Sequence, residues 1–144
     1  MRPYRVPEAQ KERIEKCIVE MLDQGVIRPL ASPWASPVVL VKNPDGSDRF
    51  CADFRRVNAI TKKDFYPLPR IAESLDVLAG TQYFSSMDLM SGYWQIEMDP
   101  ESREKTAFVT HAGLFEFNVM AFGLCNTPSC FQRLMGCILR GLNW

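Results

Sequence analysis

Residues 36–58 read SPVVLVKNPDGSDRFCADFRRVN, and the fold turns on this stretch. Val38-Val39-Leu40-Val41-Lys42 is a β-branched run that stops at Asn43-Pro44-Asp45-Gly46, a strong turn signal. Beyond the turn, Phe50, Ala52 and Phe54 alternate with Arg49, Cys51 and Asp53, the two-residue period of a half-buried strand. The two runs predict an antiparallel hairpin over residues 38–54 with its turn at 43–47.

Outward from the hairpin, the pattern becomes mixed. Before it, Ile14, Cys17, Ile18, Met21 and Leu22 fall at helical spacing, so residues 8–24 are expected as an amphipathic helix with Gly25 past its end. Pro29, Pro33 and Pro37 make residues 28–37 an extended linker without helix. After the hairpin, residues 55–68 read as basic and irregular, and a helix follows from Pro69 with Ile71, Leu75 and Leu78 on one face. Residues 83–88 read as a strand running into Ser91-Gly92. Residues 106–110 and 114–119 form a second hairpin around Ala112-Gly113. Residues 127–141 form a helix burying Phe131, Leu134, Met135 and Ile138. The order is helix, hairpin, helix, strand, hairpin, helix, which makes the fold class α+β. No repeat or flexible linker divides the chain, and no strand is followed by a glycine-rich phosphate loop.

Composition narrows the function. At 144 residues the chain holds one ordinary domain or a piece of a larger one. Seventeen basic and seventeen acidic residues argue against a highly basic nucleic-acid coat protein. The charge is nonetheless uneven: residues 42–70 hold seven basic and four acidic groups, and residues 71–144 four basic and eight acidic. A basic lobe beside an acidic one suits an enzyme that grips a polyanion, although an uneven solvated surface gives the same counts. No run of about 18 apolar residues exists to span a membrane. The polar start Met1-Arg2-Pro3-Tyr4-Arg5 is unlike a secretory signal, so the expectation is an intracellular chain with no membrane partner.

Five cysteines (17, 51, 125, 130, 137), an odd number with no Cys-x-x-Cys pair, read as reduced thiols. A single histidine, His111, sits in the Thr110–Gly113 turn and reads as a solvated loop residue rather than a catalytic base or zinc ligand. One carboxylate is unusually placed: Asp88 closes the expected strand 83–88 beside a glycine-containing turn. There the sheet would fix its backbone and leave both oxygens for a metal.

Five segments lie in one order over most of the chain: the hairpin above, DFYPLPRI (64–71), FSSMDLMSGYWQI (84–96), SREKTAF (102–108) and VMAFGLCNTPSCFQRLM (119–135). Together they resemble the reverse transcriptase of long-terminal-repeat retrotransposons of the Ty3/gypsy class, and more distantly that of retroviruses. The resemblance implies the fingers and the first part of the palm of a right-hand polymerase, as a partial domain over residues 1–144. Asp88 then corresponds to the first catalytic aspartate, a Mg²⁺ ligand, and Leu89 to the backbone-carbonyl ligand beside it. Lys42 and Arg49 correspond to the fingers residues that grip the incoming triphosphate, and both flank one tight turn, from which they are expected to project toward one ligand. Tyr93 corresponds to the aromatic that excludes a ribose 2′-hydroxyl, Phe122 to a nucleotide-pocket residue, and Ser91 and Gly92 to backbone that approaches the phosphates. Arg55, Asn58, Gly123 and Pro128 correspond to residues along the template strand.

The implied activity is RNA-directed DNA polymerisation on an RNA or DNA template-primer with deoxynucleotides, in the cytoplasm, a virus-like particle or the nucleus. Ala121 stands where the family usually has proline and is expected to loosen a turn near the pocket. Met87 and Met90 depart from the pattern without removing a ligand. The Tyr-x-Asp-Asp hairpin, thumb and ribonuclease H parts of the family have no counterpart in the 144 residues, and no two acidic residues are adjacent. The expectation is therefore that these residues alone are inactive. A non-catalytic nucleic-acid-binding or interaction remnant of a retroelement, or an open reading frame without a selected role, stays open beside the polymerase reading.

Overall fold

Two hairpins and one helix build the core. In the computed structural model, which describes residue 4, residues 6–44 and residues 46–141, helix α1 (Glu8–Asp23) buries Ile14, Ile18 and Met21. It closes with Gly25 at φ 67°. The Gly25 N–H donates to the Leu22 carbonyl at 3.0 Å and the Val26 N–H to the Met21 carbonyl at 2.9 Å. These paired bonds satisfy carbonyls that the helix end would otherwise orphan. Strand β1 (Ile27–Pro29) follows at once, so the proline-rich stretch expected as a linker starts inside a sheet.

β2 (Ser36–Lys42) and β3 (Asp48–Ala52) form the expected antiparallel hairpin, with Lys42 opposite Asp48 and Val41 opposite Arg49. Asp45 of its turn lies outside the described residues. β4 (Phe108–Thr110) and β5 (Gly113–Phe117) form the second hairpin. The five strands order as β1-β5-β4-β2-β3, antiparallel except where β2 runs parallel to β4. Their buried face meets α1 through Val38, Phe108, Phe115 and Phe117, with Phe54 closing one side. This mixed sheet with helices is the α+β class read from the sequence.

Three expectations are corrected, for residues 55–60, for residues 83–88 and for the burial along the last helix. Residues 55–60 are helical, α2 (Arg55–Ile60), rather than irregular. The Asp53 carboxylate accepts the Arg55 N–H at 3.2 Å and the Phe54 carbonyl accepts the Asn58 N–H at 2.8 Å, which starts the turn without any apolar periodicity. Helix α3 (Ile71–Val77) exists, but its apolar face is bare: Ile71 is 81% and Leu75 63% exposed. Residues 83–88 form no strand, and all are exposed. A strand needs a neighbour for its backbone N–H and C=O groups, and no described strand pairs with this one.

After the short helix α4 (Pro100–Arg103), the last helix α5 (Thr127–Ile138) ends before residue 141. Phe131 and Met135 are half-buried, whereas Leu134 and Ile138 point outward, the latter 60% exposed.

Candidate functional site

Tyr93 is the residue on which separate segments converge. It lies in a single 3₁₀ turn over residues 92–95, entered through Ser91 in a left-handed conformation at φ 49°. That backbone is uncommon for a residue with a side chain, so the surroundings hold it in place. The Tyr93 ring sits 5.0 Å from the Phe122 ring and 5.2 Å from Phe131, edge-on to the latter. Trp94 meets Phe122 at 6.1 Å on the other side. A Cβ on Gly92 would come within 3.1 Å of the Phe131 ring, so the turn packs against α5 where a larger residue would push it away. Ser91, Gly92, Tyr93 and Phe122 are thus brought into one aromatic-floored surface.

Asp88 stands just before this surface, exposed and without a hydrogen bond or ion pair among the described residues. The Leu89 carbonyl accepts the Gly92 N–H at 3.2 Å, which fixes its position beside Asp88. Reverse transcriptases normally work with divalent metal ions. Among the described residues no group of three or more His, Cys, Asp or Glu side chains could hold one. A lone carboxylate supplies at most two of the about six oxygens around a Mg²⁺, so an ion held by Asp88 alone would keep most of its waters, and Asp88 by itself does not make a metal site.

The hairpin residues divide. Lys42 shares a face with its partner Asp48, its ammonium 3.8 Å from the carboxylate and 3.4 Å from the Gly46 carbonyl. Arg49 pairs with Val41 and so points to the opposite face. The strand register does not meet the expectation that both project toward one ligand.

Of the template-side residues, Asn58 and Gly123 meet. The Asn58 Nδ2 donates to the Gly123 carbonyl at 2.8 Å, and its Oδ1 accepts the Cys125 N–H at 2.9 Å. Gly123 has φ 91° and turns closely over Phe54, which only glycine does without strain. Pro128 is exposed in the first turn of α5. Ala121 is fully buried and its carbonyl accepts the Thr127 hydroxyl at 3.0 Å, so the turn expected to be loose is tied to α5. Arg55 is held by Asp53 through two bonds of 2.8 and 2.7 Å, and Tyr4 donates to the same carboxylate at 3.1 Å. The Arg55 hydrogen bonds keep the Asp53 carboxyl far below the usual range, and Asp53 raises Arg55 in turn.

Sequence reasoning missed the ties that join the fingers to α5. The Asp64 N–H donates to the Asn126 side-chain oxygen at 3.0 Å, the Asn126 amide donates to the Lys62 carbonyl at 2.9 Å, and Arg133 reaches Asp64 at 2.6 Å. Arg133 also lies over the Tyr66 ring at 4.9 Å. These residues lie over sixty positions apart and carry no local signal; only DFYP beside NTPSCFQR marked them. His111 is in its expected turn, yet it is hydrogen-bonded to Glu15 at 2.9 Å. The five cysteines are free thiols. A groove of about 500 Å³ between α2 and α5, lined by Trp34, Met98, Met120 and Cys130, shares Asn58 with this site but neither Asp88 nor Tyr93.

The hairpin, the Tyr–Phe floor and the exposed Asp88 lie on the segments that carry the resemblance, and comparison with known proteins shows the family. Residues 41–144 match the family described as reverse transcriptase (RNA-dependent DNA polymerase), and the chain belongs to that family. It is 45% identical over 144 residues to the retrovirus-related Pol polyprotein from transposon 297 of Drosophila melanogaster, covering 96% of this chain and 14% of that one. It is 40% identical over 139 residues to the enzymatic polyprotein of cauliflower mosaic virus strain NY8153, covering 94% of this chain and 20% of that one. The chain therefore spans a seventh to a fifth of these relatives. Among solved structures, it superposes on the protease-reverse transcriptase of prototype foamy virus with TM-score 0.87 and 27% identity, covering 99% of this chain and 19% of that one. A foamy viral protease-reverse transcriptase in complex with an RNA/DNA hybrid matches with TM-score 0.84 at 26% identity over 99% of this chain and 19% of that one.

Proposed function

We propose that these residues are the fingers and first palm segment of an RNA-directed DNA polymerase of a retroelement polyprotein, and that they receive the template strand and the incoming deoxynucleotide. The observation that carries the reading is the Tyr93–Phe122 ring contact of 5.0 Å beside an unencumbered Asp88. Phe122 and Phe131 hold the Tyr93 ring from two sides, so it cannot swing away from a sugar resting on it. A 2′-hydroxyl would collide with that ring, which favours deoxynucleotides. Lys42 and Arg49 reach the triphosphate from the two faces of the hairpin. Gly123, pinned by Asn58, and Pro128 present a small, fixed surface to a template base, while Arg55 contacts phosphate with part of its charge already balanced by Asp53.

Asp88 would be one member of a carboxylate set that the described residues do not complete, and a divalent cation held by the complete set would supply neutralisation of phosphate charge. Magnesium is the ion we assign to the complete set. By themselves the 144 residues bind nucleotide and nucleic acid without extending a primer. The work belongs inside a cell, in the cytoplasm or a particle assembled there.

The test is substitution into a relative. These 144 residues would replace their counterpart in the Pol polyprotein of transposon 297, and ribonucleotide and deoxynucleotide incorporation would be compared. Tyr93→Val should raise ribonucleotide incorporation while deoxynucleotide incorporation persists. Unchanged discrimination would contradict the assignment of Tyr93. The lone Asp88 carboxylate favours one second reading, a nucleic-acid-holding remnant; it predicts nucleic-acid binding without any dependence on Tyr93 or Lys42.

A further inference from the structure

Among the described residues, Asp48 is the one carboxylate that touches both α1 and a residue of the proposed triphosphate grip. Both its oxygens accept hydrogen bonds from the Arg13 Nη1, each at 2.9 Å, and its side chain is 19% exposed. The Lys42 ammonium makes only a longer ion pair with the same carboxylate, at 3.8 Å, and is 66% exposed. We infer that Arg13 is a positioning residue for the incoming nucleotide: by occupying Asp48 it keeps Lys42 from closing onto that carboxylate and leaves its charge for a triphosphate. The inference rests on Lys42 being a triphosphate ligand.

The reasoning is a competition for one anion. A carboxylate offers two oxygens with about four acceptor positions, and a guanidinium hydrogen-bonded to both takes about half of these and balances the charge. An ammonium on a four-carbon stem then gains little by approaching and remains solvated and mobile. Were Arg13 absent, Asp48 would be a bare carboxylate directly across the ladder from Lys42, where oppositely charged cross-strand pairs close readily. Lys42 would then have to leave an ion pair before it could meet phosphate. Arg13 lies on α1, whose neighbours Ile14 and Ile18 are core residues, so the guanidinium is delivered by a rigid element.

The experiment titrates inorganic triphosphate and, separately, dTTP into the 144-residue chain at low salt, following backbone amides 40–50 by NMR. Lys42→Gln should weaken binding; if it does not, the triphosphate reading of Lys42 fails and this inference with it. Given that effect, Arg13→Gln should weaken binding by about two- to fivefold, the range of a partly exposed ion pair. Asp48→Asn should bind at least as tightly as the parent, and the double variant Arg13→Gln/Asp48→Asn should return to the parent affinity. Lys16→Gln removes a charge from the same helix without touching Asp48 and should leave binding unchanged. Should Arg13→Gln fail to fold, Arg13→Met, which keeps the aliphatic stem and drops the charge, should weaken binding to the same extent, and Asp48→Asn should again reverse it. An Arg13→Gln chain that binds as the parent does, a double variant as weak as the single, or a Lys16→Gln effect of equal size would each overturn the proposal.

Discussion

Asn58 holds Gly123: one side-chain amide donates to the glycine carbonyl at 2.8 Å and accepts the Cys125 N–H at 2.9 Å, across more than sixty residues of sequence. The contact makes a six-residue helix of the fingers and a turn of the palm into one surface. Asn58→Ala should therefore remove both bonds, the first to an exposed carbonyl that water can reach, and cost about 0.5–1.5 kcal/mol. Asn58→Asp, which keeps only the acceptor, should lose less. Chemical denaturation of the 144-residue chain reads both; an unaffected midpoint for Asn58→Ala would contradict the role.

The acid limb of stability should depend on Asp53. Its carboxyl is held below the ordinary value of 3.8 by Arg55, so the folded chain keeps it ionised where the unfolded chain takes up a proton. The stabilisation is complete above about pH 4 and is lost as the pH falls below that, toward the depressed folded value. Asp53→Asn should flatten this decline while changing little of the slope above pH 5. Thermal melts from pH 2 to 7 measure it, and parallel curves for parent and variant would refute it.

Gly92→Ala should disturb the aromatic floor. The added methyl would lie 3.1 Å from the Phe131 ring, and the shift would pass to Tyr93, whose ring rests on Phe131 at 5.2 Å. Overpacking of this kind costs about 1–3 kcal/mol. Near-ultraviolet circular dichroism should lose intensity while the far-ultraviolet spectrum is retained. An unchanged near-ultraviolet band would mean that the close packing is not sustained in solution.

Nucleic-acid binding by the chain should be largely sequence-independent and fall steeply with salt, because displaced counterions drive it. Arg56 is exposed, whereas Arg55 already shares its charge with Asp53. Arg56→Ala should thus flatten the salt slope more than Arg55→Ala does. Fluorescence anisotropy with an RNA/DNA duplex between low and moderate salt gives both slopes, and equal affinity at all salt concentrations would remove the argument from the basic lobe.

What the sequence made legible was whatever is local and periodic. The 43–47 turn between alternating strands, the apolar spacing of α1 and the Ala112-Gly113 hairpin all carry their structure in neighbouring residues. Helix α2 did not, since its six residues form around Asp53 and Phe54 backbone contacts and not around an apolar stripe. The segment 83–88 misled for a different reason: it is composed as a strand, but pairing is a property of the partner. Within the site, Tyr93 and Phe122 were named from motifs and do meet, while the opposition of Lys42 and Arg49 across the ribbon follows from a register that no motif encodes. The Arg13–Asp48 pair, between a helix and a strand thirty-five positions apart, had no signal in sequence at all.

The central claim is that these residues form the entry half of a polymerase whose chemistry runs through Asp88, and primer extension tests it most directly. The 144-residue chain and the transposon 297 Pol polyprotein carrying these residues in place of its own would each be given an RNA template, a DNA primer, deoxynucleotides and Mg²⁺. The account predicts no extension by the chain alone, extension by the substituted polyprotein, and loss of that extension to background in Asp88→Asn. Extension by the short chain, or an Asp88→Asn polyprotein as active as its parent, would contradict it.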